Sequence, residues 1–174
     1  AFWSFCNAAI TGPALWMTAL MIRKVMPNMY VKTAVGIFLD LLAYAYNLER
    51  KPAVKAGGKL TFSRTPGAQP LVIPSGTRVR TVSINGNIYR MITAVDAVIA
   101  EGSAQIDVPC LAEAPGAAYN LGANYYAIMD SDVPGVTAVT NPADWLATPG
   151  ADAESDEQLR LRIRYQFAGA GDWH

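Results

Sequence analysis

The chain has 174 residues, of which 52% are apolar and 16% charged, and its basic and acidic residues balance to zero net charge. A neutral chain with pI near 6.8 lacks the basic stripe that nucleic-acid binding needs. The length suits one domain with a core, or one core plus a helical arm. High apolar content with low charge suits a subunit that buries surface against neighbours. His174, the last residue, is the only histidine, so a His-based triad or a His-rich metal site has no residues to build on. Cys6 and Cys110 lie far apart with no CxxC pair; they read as buried, inert thiols, not a disulfide framework.

The first zone, to about Leu48, reads as helical. No charge precedes Arg23, and "AFWSFCNAAITGPALWMTALMI" is long enough to raise the membrane question. Gly12-Pro13 interrupts it, and Ser4, Asn7, Thr11 and Thr18 dilute it. No basic segment precedes it and no small-residue cleavage site follows, so neither a span nor a signal peptide is expected. Pro13 suits the first turn of a helix. Trp16, Met17, Leu20, Met21 and Val25 then make a helical stripe that stops near Pro27-Asn28. Thr33 is expected to cap a second helix with Ile37, Leu41, Leu42, Tyr44, Ala45 and Leu48 as its apolar surface. With Asp40 almost its only charge, that helix needs cover on more than one side. The cover is either ordinary core or another subunit.

The second zone, roughly Lys55 to Thr140, reads as β. "KLTFS" puts Leu60 and Phe62 on one face; "TRVRTVS" sets Val79 against Arg78 and Arg80. "AQIDVPC" puts Ile106, Val108 and Cys110 on one face. Such alternation describes sheets with one wet face. Asn85-Gly86 marks a two-residue hairpin, and Glu101-Gly102 reads as another. Pro74-Ser75-Gly76, Pro115-Gly116 and Pro134-Gly135 supply further turns.

The third zone opens with the loop "TNPADWLATPGADAE" and ends in a helix from about Asp156 to Ala168. Ser155 and Gln158 form a capping box, and Asp156 and Glu157 suit the positive end of the helix dipole. Asp156 and Arg160 are spaced for an i, i+4 ion pair, and Leu159, Ile163 and Phe167 form the apolar face. Asp152, Glu154 and Asp156 alternate like the opening of a calcium loop. However, Glu157 stands where such a loop needs Gly and Ile163 where it needs Glu. Gly57-Gly58 and Gly67 read as turn glycines without a phosphate-binding pattern. Ser75 is not in a nucleophile elbow. Tyr125, Tyr126 and Trp145 suit either a sugar-stacking patch or a core.

The order of motifs resembles the baseplate J family of contractile phage tails from about Thr33 to Arg164. The first carriers are Thr33-Ala34, Gly36, Leu39-Asp40 and Arg50. Ile73-Pro74 with Gly76-Thr77, Asn120, and Thr140-Asn141-Pro142 follow. Last come Glu154-Ser155-Asp156-Glu157, Leu159-Arg160 and Arg162. Two positions depart: Asn47 stands where Gly is frequent, and Pro149 replaces the first of a frequent Gly pair. Family members usually continue past this helix, so the chain reads as a fragment or truncated relative.

The resemblance implies a structural wedge subunit of a phage, prophage or tailocin baseplate, made in the bacterial host cytoplasm and located in the virion tail. It implies partners among other wedge subunits and further copies, met through the N-terminal helices. It carries over no catalytic, cofactor-binding or metal-binding residue. The expected fold class is α+β. Residues 1–50 form a helical arm, 51–143 an antiparallel β-sandwich or partly open barrel, and 144–174 a loop and helix leading to an absent domain. The alternatives are a carbohydrate-binding or adhesive β module resting on Tyr125, Tyr126 and Trp145, and a small hydrolase resting on the acids around Glu154.

Overall fold

A computed structural model describes the backbone of residues 2–67 and 69–169, and the side chains of 11–67 and 69–166. The side chains of Cys6, Phe167 and His174 lie outside the described residues. The chain divides into two compact units, Ala1–Lys51 with Glu154–His174, and Pro52–Ala153. The second is therefore an insertion, in sequence, within the first.

In the helical unit, α1 (Phe2–Leu20) runs through Pro13 instead of starting there. Pro13 removes one N–H from the ladder, yet the flanking turns stay helical. The next turn widens into a π-helical stretch, Met21–Val25, where the Met26 N–H donates to the Met21 carbonyl. It then tightens to a 3-10 turn, Met26–Met29. Pro27 has no N–H to continue the ladder, and the chain leaves in an extended conformation at Tyr30. Thr33 does not cap the next helix. Its hydroxyl donates back to the Pro27 carbonyl at 2.5 Å, while the Thr33 and Ala34 N–H groups donate to the Tyr30 carbonyl. The reversal ends at Gly36, whose φ of +55° admits glycine more readily than other residues, and α2 (Ile37–Tyr44) follows.

The last helix, α3 (Asp156–Gly169), starts as expected. The Ser155 N–H donates to Gln158 Oε1 at 2.9 Å, and the Gln158 N–H donates to Ser155 Oγ at 3.3 Å. The core of this unit is small: Ala34, Leu39 and Ala43 pack with Leu159 and Ile163.

Among the described residues, the inserted unit has nine strands: β1 (Gly57–Ser63), β2 (Leu71–Ile73), β3 (Arg78–Arg80), β4 (Arg90–Thr93), β5 (Ala97–Ile99), β6 (Gln105–Ala112), β7 (Ile128–Met129), β8 (Ala138–Thr140) and β9 (Leu146–Thr148). The main sheet runs β7-β3-β4-β6-β1-β8, with β9 also on β1, and its described pairings are antiparallel. Its ends, β7 and β8, approach each other without a ladder, so the sheet curls into a nearly closed barrel. Leu60, Phe62, Val79, Met91, Val108, Cys110 and Val139 fill the interior, which follows from the alternation in each strand. β2 and β5 form a separate two-stranded ribbon.

The Asn85-Gly86 hairpin forms, with φ of +50° and +82° and an Ile84–Asn87 bridge, the geometry of a type I′ turn. Glu101-Gly102 also turns the chain, through a Ser103 N–H bond to the Ala100 carbonyl. It is not a hairpin, because β5 pairs with β2 instead of β6. Local turn chemistry cannot choose the strand partner.

Gly57 and Gly58 are strand residues of β1, not turn residues. β9 joins β1 here with a register shift between them, and the Lys59 N–H donates to the Trp145 carbonyl at 2.9 Å. A Cβ on Gly58 would stand 2.0 Å from that carbonyl oxygen, whereas one on Gly57 would meet the Leu111 side chain at 3.1 Å. Gly58→Ala is expected to cost at least about 3 kcal/mol in urea unfolding, and Gly57→Ala clearly less, because a leucine tip can move and a paired backbone cannot. Equal costs would show that β9 shifts freely.

Candidate functional site

The residues that mark the chain's motifs are mostly polar clips. In the helical unit, Arg50 donates from Nε to Asp40 Oδ1 at 2.8 Å, from Nη1 to the Glu154 carbonyl at 2.7 Å, and from Nη2 to Asp156 Oδ1 at 2.7 Å. One planar guanidinium thus joins α2, the segment entering α3, and the first turn of α3. Glu154 is 8% exposed. Its Oε2 accepts from Arg162 at 2.5 Å and from the Lys51 N–H at 3.0 Å. Asp156 Oδ2 accepts from the Gly36 N–H at 3.0 Å. The backbone donor at Gly36 and the Arg50 guanidinium hold the Asp156 carboxyl below its ordinary range. The expected Asp156–Arg160 pair gives way to this arrangement. Arg160 instead meets Glu157 at 2.6 Å and donates to the carbonyls of Val31 and Ala34.

The acids of the calcium-like run therefore have separate tasks. Asp152 accepts from the Ala117 N–H at 3.0 Å within the barrel unit, while Glu154 and Asp156 serve the helical unit. Among the described residues, no group of three or more His, Cys, Asp and Glu side chains converges as metal ligands would.

In the barrel, the side chain of Asn141 spans the β7–β8 opening. Its Oδ1 accepts from the Tyr126 N–H at 3.0 Å and its Nδ2 donates to the Gly122 carbonyl at 2.7 Å. Its own carbonyl accepts from the Asn124 N–H at 3.0 Å. Asn120 does the same for Gly150, giving and taking one bond at 2.8 and 2.7 Å. An amide side chain carries a carbonyl and an N–H, so it can replace a missing ladder rung. Trp145 and Tyr126 pack edge to face at 5.3 Å. Trp145 Nε1 donates to the Leu121 carbonyl, and the Tyr126 hydroxyl donates to the Tyr119 carbonyl. Both rings are buried and only Tyr125 is exposed, so these aromatics are core and not a sugar platform. Cys110 is buried, and burial pushes its thiol up to about 12.

The feature that sequence periodicity understated is the amount of apolar surface left open. Leu15, Trp16, Met29, Ile37, Leu41 and Tyr44 are each more than 60% exposed. All lie in the helical unit, whose small core leaves them without cover. No helix among the described residues is long and apolar enough to cross a membrane. Apolar side chains exposed to this degree in one small unit are a candidate interaction surface.

A nearly closed antiparallel barrel inserted between helices, with an open apolar helical face, defines a class. The model of the baseplate J-like protein barrel domain matches residues 59–148, from β1 to β9, and the chain belongs to that family. It is 39% identical over 173 residues to "Putative baseplate protein gp29" of Haemophilus phage HP1 (strain HP1c1), covering 99% of this chain and 44% of that protein. It also resembles a chain in the cryo-EM structure of the anti-feeding prophage (AFP) baseplate, 6-fold symmetrised, with a TM-score of 0.56 and 12% identity. That match covers 91% of this chain and 48% of the other, and at such identity it concerns the fold. The chain thus spans about half the length of the proteins it matches.

Two outcomes follow from the clips. Asn141→Ala strands buried backbone donors and acceptors and is expected to cost about 2–4 kcal/mol in urea unfolding; an unchanged midpoint would show that water closes the seam equally well. Asp156 is ionised to lower pH in the folded chain than in the unfolded one. Its contribution is full above the unfolded carboxylate value of about 3.9 and is lost as pH falls through the folded value. The stability gap between the parent and Asp156→Asn should therefore be largest near neutral pH and shrink below about pH 4, read by urea titration at each pH.

Proposed function

We propose that this chain is part of a structural wedge subunit of a contractile-tail baseplate, from a phage, prophage or tailocin, and that it works through protein–protein contacts. Its place is the virion tail baseplate. The observation that carries the reading is the open apolar surface of α1 and α2, set in a chain of this family. Burying one such side chain contributes about 1.5–3 kcal/mol before the costs of association. A few of them, covered by neighbouring wedge subunits or further copies, would suffice for a stable contact. No catalytic role is proposed. The carboxylates that suggested one are committed to structural partners, and the described thiol is buried.

A cut that removes all residues to 48 would also take Ala34, Leu39 and Ala43 from the core shared with Leu159 and Ile163. Substitution tests the surface more cleanly. Leu15→Glu combined with Trp16→Glu and Met21→Glu should leave the urea midpoint of the barrel unchanged and weaken association at least about tenfold. The measurement is sedimentation across a concentration range, alone and with the other wedge subunits. Unchanged association in both settings would mean that this helical surface is not the contact.

A further inference from the structure

The charges of the helical unit are sorted. Most of its acids are paired: Asp40 and Asp156 meet Arg50, Glu154 meets Arg162, and the largely exposed Glu157 meets Arg160. Glu49 alone of the described acids in this unit has no ion pair. The cations are different. No Asp or Glu occurs before Asp40, and Arg23, Lys24, Lys32 and Arg164 have no side-chain partner among the described residues. A chain of zero net charge therefore carries, in this unit, both exposed apolar side chains and cations without an ion pair.

Two of those cations, Lys32 and Arg164, flank a groove of about 510 Å³ beside α3. Val31, Leu161 and Ile163 give it an apolar lining, and the Arg160–Glu157 pair forms one wall. The backbone offers little there, because Arg160 already occupies the carbonyls of Val31 and Ala34. A strand could not add to this site, since no sheet edge borders it. An occupant must present a ridge of side chains, as a helix does. The concave shape suits such a ridge better than the flat surface of a membrane. The unpaired cations call for carboxylates, which would otherwise leave Lys32 and Arg164 to lose hydration without compensation.

We propose that this groove receives an acidic amphipathic helix of a partner baseplate protein, with its apolar ridge against Val31 and Leu161 and its carboxylates at Lys32 and Arg164. This rests on the reading of the helical unit as an assembly surface and adds the sign and shape of the partner.

The test uses the full chain and two synthetic amphipathic helical peptides that share a leucine face, one carrying Glu and the other Lys opposite. Fluorescence anisotropy at low salt reads binding. The acidic peptide should bind, the basic one should not, and Lys32→Glu with Arg164→Glu should weaken the acidic peptide at least about tenfold. Lys32→Ala with Arg164→Ala should give a smaller loss in the same direction, and circular dichroism checks that both variants fold. Equal binding of the two peptides, no binding of either, or no effect of the variants would overturn the proposal. So would self-association or binding to phosphatidylserine vesicles that disappears in the same variants, since the occupant would then be a second copy or a lipid surface. Sedimentation of the groove variants separates this from the broader reading: if the peptide result fails while association through Leu15, Trp16 and Met21 persists, only the groove assignment falls.

Discussion

The helical unit depends on the Arg50 guanidinium. The chain leaves α2, forms the barrel, and returns at Glu154. Arg50 binds both the outgoing and the returning strand of that excursion, through Asp40, the Glu154 carbonyl and Asp156. Lys51 and Glu154 add reciprocal bonds: each backbone N–H donates to the other residue, to a carbonyl in one case and a carboxylate in the other. Bringing together chain ends separated by about a hundred residues costs on the order of 4 kcal/mol in loop entropy. The barrel bears most of that cost by folding, since its own Val54–Ala151 bridge joins its first and last segments. The clip then holds α3 against α2, and the small core of Leu39, Ala43, Leu159 and Ile163 can form.

The barrel solves a related problem with amides. Its sheet does not close through β7 and β8, because the 122–126 stretch is irregular and its N–H and carbonyl groups find no strand opposite. Asn141 supplies one donor and one acceptor from a side chain, and Asn120 does the same at Gly150. Trp145 and Tyr126 are fixed by the carbonyls of Leu121 and Tyr119, just before that stretch. A barrel closed by side chains tolerates irregular loops at its seam while leaving few buried polar groups unmatched. Indeed, no buried side-chain nitrogen or oxygen among the described residues lacks a partner.

The two units differ in where they leave apolar surface. The barrel packs Leu60, Phe62, Met91, Tyr126 and Trp145 into one internal core. The helical unit spends its acids on internal clips and leaves its apolar side chains and several cations open. Exposed apolar surface of that composition is what an interaction site presents. Family membership names the setting, a baseplate, and the cover from neighbouring subunits is what we propose for it.

Much of this was legible in the sequence because the signals were local. The capping box of α3, the Asn-Gly hairpin and the alternation of β1, β3 and β6 each follow from residues within a few positions of one another. The motif order from about Thr33 to Arg164 identified the family, although it could not say what Asp40, Arg50, Asn120 or Asn141 do. Their partners lie far along the chain, up to 106 residues from Arg50 to Asp156, and no spacing rule reaches that distance. The partner of β5, the strand role of Gly58, the choice of Arg50 over Arg160 for Asp156 and the burial of Trp145 were likewise decided by tertiary contacts. The sequence by itself determined the α+β class and the main helix and strand segments, through hydrophobic period and end signals. Only the folded structure decided which polar groups meet and which apolar faces stay open, because both depend on what the rest of the chain brings alongside.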